Sequence, residues 1–327
     1  MQRSLRRRTT TLAAAGAILF ATVGFTGQAG GAQAAGDRAA CGSGPSNARV
    51  VKGHHGVDPN SVTVAETKRA DAQLQARVQR LVSKGVLSRG GASARPLAVS
   101  VPVHVHVITT NDGTGGVTQR QINDQIRVLN DAYAGRTARG AARTPFSFQL
   151  ASVDVTRNSK WYNWQLKANG AETSDAIKAK TALHQGGWGD LNIYIAGLGS
   201  GLLGYASFPQ NGVLALDGLV LLNDSLPGGS AAPYNEGDTA THEIGHWLGL
   251  FHTFQNGCSF PGDSVDDTPY QFDGDNIFFC TVSDDTCPQP GTDPVHNFMS
   301  YGDDPCLDMF TTGQSERMVQ TWLAYRA

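Results

Sequence analysis

Three histidines and one glutamate carry the chemistry that this sequence can be read to contain: His242-Glu243-Ile244-Gly245-His246-Trp247-Leu248-Gly249-Leu250-Phe251-His252. On a helix, residues four apart lie one above the other, so His242 and His246 would present two imidazoles to a single ion. Glu243, next to the first ligand, can take a proton from a metal-activated water. A helix continuing past Gly249 would carry His252 away. Glycine accepts the left-handed conformation that ends a helix and turns the chain, so His252 can return as a third ligand. Three protein ligands leave a fourth position for water, the arrangement of a catalytic rather than a structural zinc site. With nine His, five Glu and 39 Gly in 327 residues, the whole pattern arises by chance with a probability on the order of 10⁻⁵. Solvated histidines on an amphipathic helix are therefore a poor account of it.

These residues need a scaffold, and the periodicities supply one. Val99 to Ile108 is β-branched and alternating, which predicts a strand. Thr118 to Tyr133 places Ile122, Ile126, Leu129 and Tyr133 on one face, a helix that Thr118 can cap. Phe146 to Val155 and Leu191 to Ile195 read as further strands, and Thr173 to Leu183 as a helix. Strands and helices in this order predict an α+β mixed twisted sheet with helices packed on it. From Phe254 to Cys306 the text turns to Gly, Asp, Pro and Cys, an irregular lobe, before a closing helix over Thr312 to Tyr325. His104 and His106 would share a strand face, but no third ligand sits at matching spacing. They read as ordinary strand residues near the sheet edge, and His54 and His55 as equally unremarkable.

The N-terminus has Arg3, Arg6, Arg7 and Arg8, then an apolar run from Leu12 to Phe25, then Ala32-Gln33-Ala34. That order predicts a signal peptide over 1–34, its apolar run too short to span a bilayer. Residues 35–95 read as a pro-segment, with one helical pattern over Glu66 to Val82 and an exposed, cleavable linker from Ser83 to Pro96. Residues 96–327 form the catalytic domain. No later apolar stretch is long enough for a membrane, so a secreted, extracellular protein is expected. Its net charge of −2 conceals an asymmetry: residues 181–316 hold 18 Asp and Glu and no Lys or Arg. Such a block calls for bound cations or a basic ligand and disfavours nucleic acid. Four of the five cysteines, Cys258, Cys280, Cys287 and Cys306, crowd into this region, where an exported chain would pair them. Cys41 is left over. Its thiolate, in a removable segment, could occupy the position of the catalytic water and keep the enzyme latent.

Some fifty residues beyond the histidines stands Asn297-Phe298-Met299-Ser300-Tyr301. A long zinc motif followed by such a Met-containing turn resembles the metzincins. Trp247-Leu248-Gly249-Leu250, His252-Thr253-Phe254, Gly257-Cys258, Asp267-Thr268-Pro269 and Phe310-Thr311-Thr312-Gly313-Gln314 are similar to the pappalysin branch. The likeness is strong from about Gly201 to Arg326 and thinner over 97–200. It implies a cleft between an upper sheet-and-helix subdomain and a lower, disulfide-stapled one, with Met299 as a hydrophobic base beneath the ligands. It also implies that Tyr301 stabilises the tetrahedral intermediate, that Cys258 pairs with Cys287 and Cys280 with Cys306, and that Asp263, Asp266, Asp267 and Thr268 hold Ca²⁺. Two departures stand out. Ser300 and Gly302 occupy positions where the family often has Asp and Ser, and Ala40 stands where relatives place an Arg before the latent-form cysteine.

The function so implied is that of a zinc endopeptidase, a monomer acting on proteins or peptides, with Glu243 as general base. An acidic cleft favours Lys or Arg beside the scissile bond, with Asp303 or Asp304 lining the pocket just beyond it. The same preference predicts self-processing in the linker, between Ser88 and Arg89 or between Ala94 and Arg95. A gluzincin would need a Glu as third ligand, and no Glu occurs between Glu243 and Glu316. A binding protein with an idle metal site would have no need of Glu243.

Overall fold

The computed structural model describes residues 49–53, 62–88, 97–210 and 212–327. The expected signal peptide, Cys41, His54, His55, Arg89 and Arg95 lie outside the described residues. In chain order the elements are β1 (Arg49–Val50), α1 (Val64–Ser83), β2 (Val99–Thr109), α2 (Gln119–Tyr133), β3 (Phe146–Arg157), α3 (Ser159–Tyr162), β4 (Asn163–Trp164), α4 (Ser174–Leu183), β5 (Leu191–Leu198), β6 (Leu202–Ala206), β7 (Leu219–Leu222), α5 (Asp238–Trp247) and α6 (Thr312–Tyr325).

Period-two alternation makes β2 the spine of the sheet. Val99, Val101, Val103, Val105 and Val107 all bury one face against Ile122, Leu129 and Tyr133 of α2 and Ile244 and Trp247 of α5. The opposite face packs Tyr194, Ala196 and Val220 against Ala176 and Ala179 of α4. Strand order is β1-β6-β7-β5-β2-β3, with β4 paired to β5. β3, β2, β5 and β7 run parallel, whereas β6 is antiparallel to β7 and β1 antiparallel to β6. The mixed sheet with packed helices is the one the periodicities predict.

The helix ends follow local chemistry. Thr118 and Gln121 form a reciprocal capping box at α2, and Thr311 with Gln314 repeats it at α6. α6 then returns under the C-terminal end of α5: the Arg326 guanidinium donates to Trp247 O at 2.9 Å and pairs with Asp217, which also accepts from the Trp247 indole at 2.8 Å. A buried cation so fully partnered locks the register of the two helices. Between α5 and α6, residues 254–311 contain turns, short 3₁₀ segments and one isolated bridge, Asn297 with Met309, stapled by Cys258–Cys287 and Cys280–Cys306. The irregular lobe and the pairing are those that the resemblance implies.

One reading is corrected by the fold. His104 and His106 do lie on a strand, but β2 is flanked by β3 and β5 rather than standing at an edge. His106 is fully buried, with Nδ1 2.6 Å from Asp154 Oδ2, Nε2 3.0 Å from Asn192 Oδ1, and its ring stacked on Tyr194. The residues read as pro-segment also join the fold closely. β1 extends the sheet, and α1 packs Leu74 and Val78 toward Leu323 and Tyr325 of α6, fastened by Asp71–Arg317 at 2.6 Å and by Arg77 to Ala324 O at 3.0 Å.

Candidate metal centre

α5 owes its length to its sequence at both ends. Gly237 enters it at φ 106°, and Asp304 caps it from the far lobe, its Oδ2 accepting from Glu236 N at 2.7 Å and Gly237 N at 3.1 Å. At the C-terminal end, Gly249 adopts φ 89°, Gly249 N donates to His246 O and Leu250 N to Gly245 O, which is a Schellman turn. The chain therefore reverses at Gly249, and His252 comes back toward the helix.

The result is convergence. His242, His246 and His252 are fully buried, and their three Nε2 atoms lie 3.0 to 3.1 Å from one another. His242 Nδ1 is 2.7 Å from Phe298 O and His246 Nδ1 2.9 Å from Leu250 O, so these rings donate from Nδ1 and direct the lone pair of Nε2 inward. Burial pushes the His242 imidazole well below its ordinary range and takes His246 down to about 4, which keeps both neutral. Lone pairs aimed at one another repel. A cation among them removes that conflict, and a tetrahedral zinc with Zn–N of about 2.0–2.1 Å sets its nitrogens roughly 3.3 Å apart. The donor set fits zinc.

Beneath it lies Met299, fully buried. A Cβ on Gly245 would collide with its sulfur, so the glycine inside the motif is what lets this methionine approach the helix. Tyr301 is buried against the histidines, its ring 4.7 Å from that of His252 and 5.9 Å from that of His242.

This geometry has relatives. The family described as pregnancy-associated plasma protein-A matches residues 183–323. An extracellular metalloprotease of Colletotrichum graminicola is 42% identical over 246 residues, 72% of this chain and 81% of its own length. Among solved structures, mature mirolysin of Tannerella forsythia in complex with a cleaved peptide is similar at 29% identity and a TM-score of 0.54, covering 68% of this chain and 90% of that one. A promirolysin mutant from the same organism matches at 25% identity and a TM-score of 0.60 over 80% of this chain and 92% of its own. The chain belongs to the pappalysin family. It is a zinc metalloendopeptidase.

In this pappalysin the space beside the histidines is filled from within. Arg49, fully buried, donates its backbone N–H to Glu243 Oε1 at 3.0 Å. Its guanidinium reaches Asp304 Oδ1 at 2.7 Å and Gly302 O at 2.9 Å, with the Tyr234 ring alongside. Of the two acids named from the sequence, Asp304 is the one that meets a basic side chain. Asp238 adds to this acidic corner; burial and the Asp304 charge push its carboxyl up to about 8. Sequence reasoning missed Arg49 and Asp238. An acidic residue opening the zinc helix is a visible signal for Asp238, whereas Ala48-Arg49-Val50 carries none.

The loop expected to hold calcium divides its duties. Asp267 accepts from Thr311 Oγ1 at 2.7 Å and Gly313 N at 2.9 Å, so it tethers the start of α6. Asp266 is exposed. Asp263 is buried, and burial pushes its carboxyl well up; its Oδ2 and Thr268 Oγ1 have no hydrogen-bond partner among the described residues. Both line a cavity of about 280 Å³ with Asp71 and Arg317. The relatives are named extracellular metalloproteases, and among the described residues no helix is long and apolar enough to cross a membrane.

Proposed function

We propose that the zinc ion is held by His242, His246 and His252 and that Glu243 is the general base of peptide-bond hydrolysis. The observation that carries this is the convergence of the three buried Nε2 atoms beside a buried carboxylate. When bound, zinc polarises the scissile carbonyl and makes a water acidic enough to ionise near neutral pH. Glu243 takes the proton of the attacking water and passes it to the leaving nitrogen, and the Tyr301 hydroxyl donates to the oxygen on which charge develops. The decisive experiment is Glu243→Ala. The purified variant should retain one zinc per chain and lose cleavage of casein; full activity in a folded, zinc-loaded Glu243→Ala protein would remove the assignment.

Three finer readings accompany it. The chain is a secreted precursor, with 1–34 as signal peptide, 35–95 as pro-segment and 96–327 as catalytic domain, and Cys41 supplies a thiolate ligand in the latent form. Cleavage prefers a basic residue after the scissile bond, a reading supported by the Arg49–Asp304 pair. Calcium binds at Asp263 and Thr268, supported by their unpartnered oxygens, with Asp266 and Asp267 contributing at its margin. The substrates are proteins or peptides, the enzyme acts as a monomer, and nucleic acid is no partner.

A further inference from the structure

Arg49 satisfies three separate requirements of a substrate at once. Its strand, β1, runs antiparallel along the outer edge of β6, with Arg49 opposite Gly204, so the backbone is extended where a peptide would add to the sheet. Its side chain fills the acidic pocket: Asp304 at 2.7 Å, Gly302 O at 2.9 Å and Thr239 Oγ1 at 3.4 Å. Its amide nitrogen is 3.0 Å from Glu243 Oε1. Any one of these would be ordinary for a packed segment. Together they set a backbone nitrogen at the carboxylate that must protonate a leaving nitrogen, with a basic side chain seated immediately after it. A purely structural role for Arg49 would require neither the contact with Glu243 nor that direction along β6.

We propose that the peptide bond on the amino side of Arg49, Ala48–Arg49, is a self-cleavage site and that Arg49 is a tethered occupant of the pocket for basic residues. The inference rests on the preference for basic residues proposed above. In the step, water oxygen bonds to the Ala48 carbonyl carbon, the C–N bond breaks, and Glu243 delivers the water's proton to the Arg49 nitrogen. The products are a carboxylate at Ala48 and a new amino terminus at Arg49. The cut separates the segment bearing Cys41. It leaves Arg49 attached through α1, which Asp71–Arg317 and Arg77–Ala324 O hold on α6. The pocket is therefore freed only by a second cut within 83–96.

The test uses the full precursor, purified as wild type, Glu243→Ala, Arg49→Lys and Arg49→Ala, incubated with zinc and followed by N-terminal sequencing and intact mass. Wild type and Arg49→Lys should expose residue 49 as a new N-terminus, at a rate independent of protein concentration because Arg49 is already held in the same chain's site. Glu243→Ala should not. In Arg49→Ala the cut at this bond should slow at least about 100-fold, since Asp304 is then buried without its partner. A parallel cleavage profile of the mature enzyme on a peptide library separates the two readings. Basic residues preferred in the library with no N-terminus at Arg49 overturns this inference alone; no basic preference and no such N-terminus overturns both. The same N-terminus from Glu243→Ala, or an undiminished cut in Arg49→Ala, also overturns it.

Discussion

A buried histidine trio and a histidine pair lie on opposite sides of one strand, and only the trio has the donor arrangement that could hold a metal. β2 turns its valines toward α5, where His242, His246 and His252 sit, and its histidines away. On the far side each imidazole is spent on oxygens: His106 meets Asp154 and Asn192, and His104 Nδ1 lies 2.7 Å from Ser152 Oγ. Asn192 is itself fixed by the Gln185 backbone at 2.9 Å on both its oxygen and its nitrogen. At the metal centre the Nδ1 atoms of His242 and His246 are given to backbone carbonyls and the Nε2 atoms of all three rings face one another. Residue type is shared, and His106 is as fully buried as the trio. The direction of the lone pairs is what differs, and it separates a ligand set from a structural network.

The largest effect that probes this contrast is His246→Ala. It should abolish stoichiometric zinc, read by metal analysis, and reduce peptidase activity to background, whereas His106→Ala should leave zinc at one per chain. Zinc lost from His106→Ala, or kept at full occupancy in His246→Ala, would break the distinction between the groups. Tyr301→Phe comes next. It should keep zinc and lower kcat roughly 10²-fold with little change in KM, as expected for a donor acting on developing charge.

The far cluster is expected to report on stability instead. His106→Ala leaves Asp154 and Asn192 without their ring partner inside the fold, which should cost about 2–3 kcal/mol in denaturant unfolding of the inactive Glu243→Ala precursor. A change below roughly 0.5 kcal/mol would mean that the network contributes little.

Legibility in the sequence followed the range of the interactions. The closing helix, α6, begins at Thr312 and ends at Tyr325 as its pattern predicts, because caps and periodicity are local. The convergence of the three histidines was readable for the same reason: they span eleven residues and the turn between them is set by Gly249. β6 and β7 escaped notice. Leu202-Leu203-Gly204-Tyr205-Ala206 is buried at every position, so no alternation marks it as a strand. The acidic character of the pocket was visible in composition, but its occupant was not. Arg49 reaches Glu243 across 194 residues, a contact that no local pattern encodes. The setting of His104 and His106 was misjudged likewise, since strand order depends on pairings distant in sequence.

The smallest effect belongs to Asp238, in the first turn of the helix that bears His242 and His246, and it sets the pH response of one buried carboxyl against that of the two imidazoles. Burial, then the Asp304 charge, raise its carboxyl from 3.8 to about 8, while Arg49 works against the rise. Between about pH 4 and pH 8 the folded chain thus holds a proton that the unfolded chain has released, so folding stability falls as pH climbs through that window. His242 and His246 act in the opposite sense. Their folded values lie below the ordinary 6.5, so their contribution grows as pH rises toward 6.5. Subtracting one variant from another isolates the carboxyl. Melting temperatures of the Glu243→Ala precursor with and without Asp238→Asn should therefore diverge, the Asn variant losing less stability than its parent between about pH 5 and pH 8. Parallel curves over that range would mean that Asp238 carries its charge in the folded protein and that the Arg49 guanidinium is shared between two carboxylates instead of serving Asp304 alone.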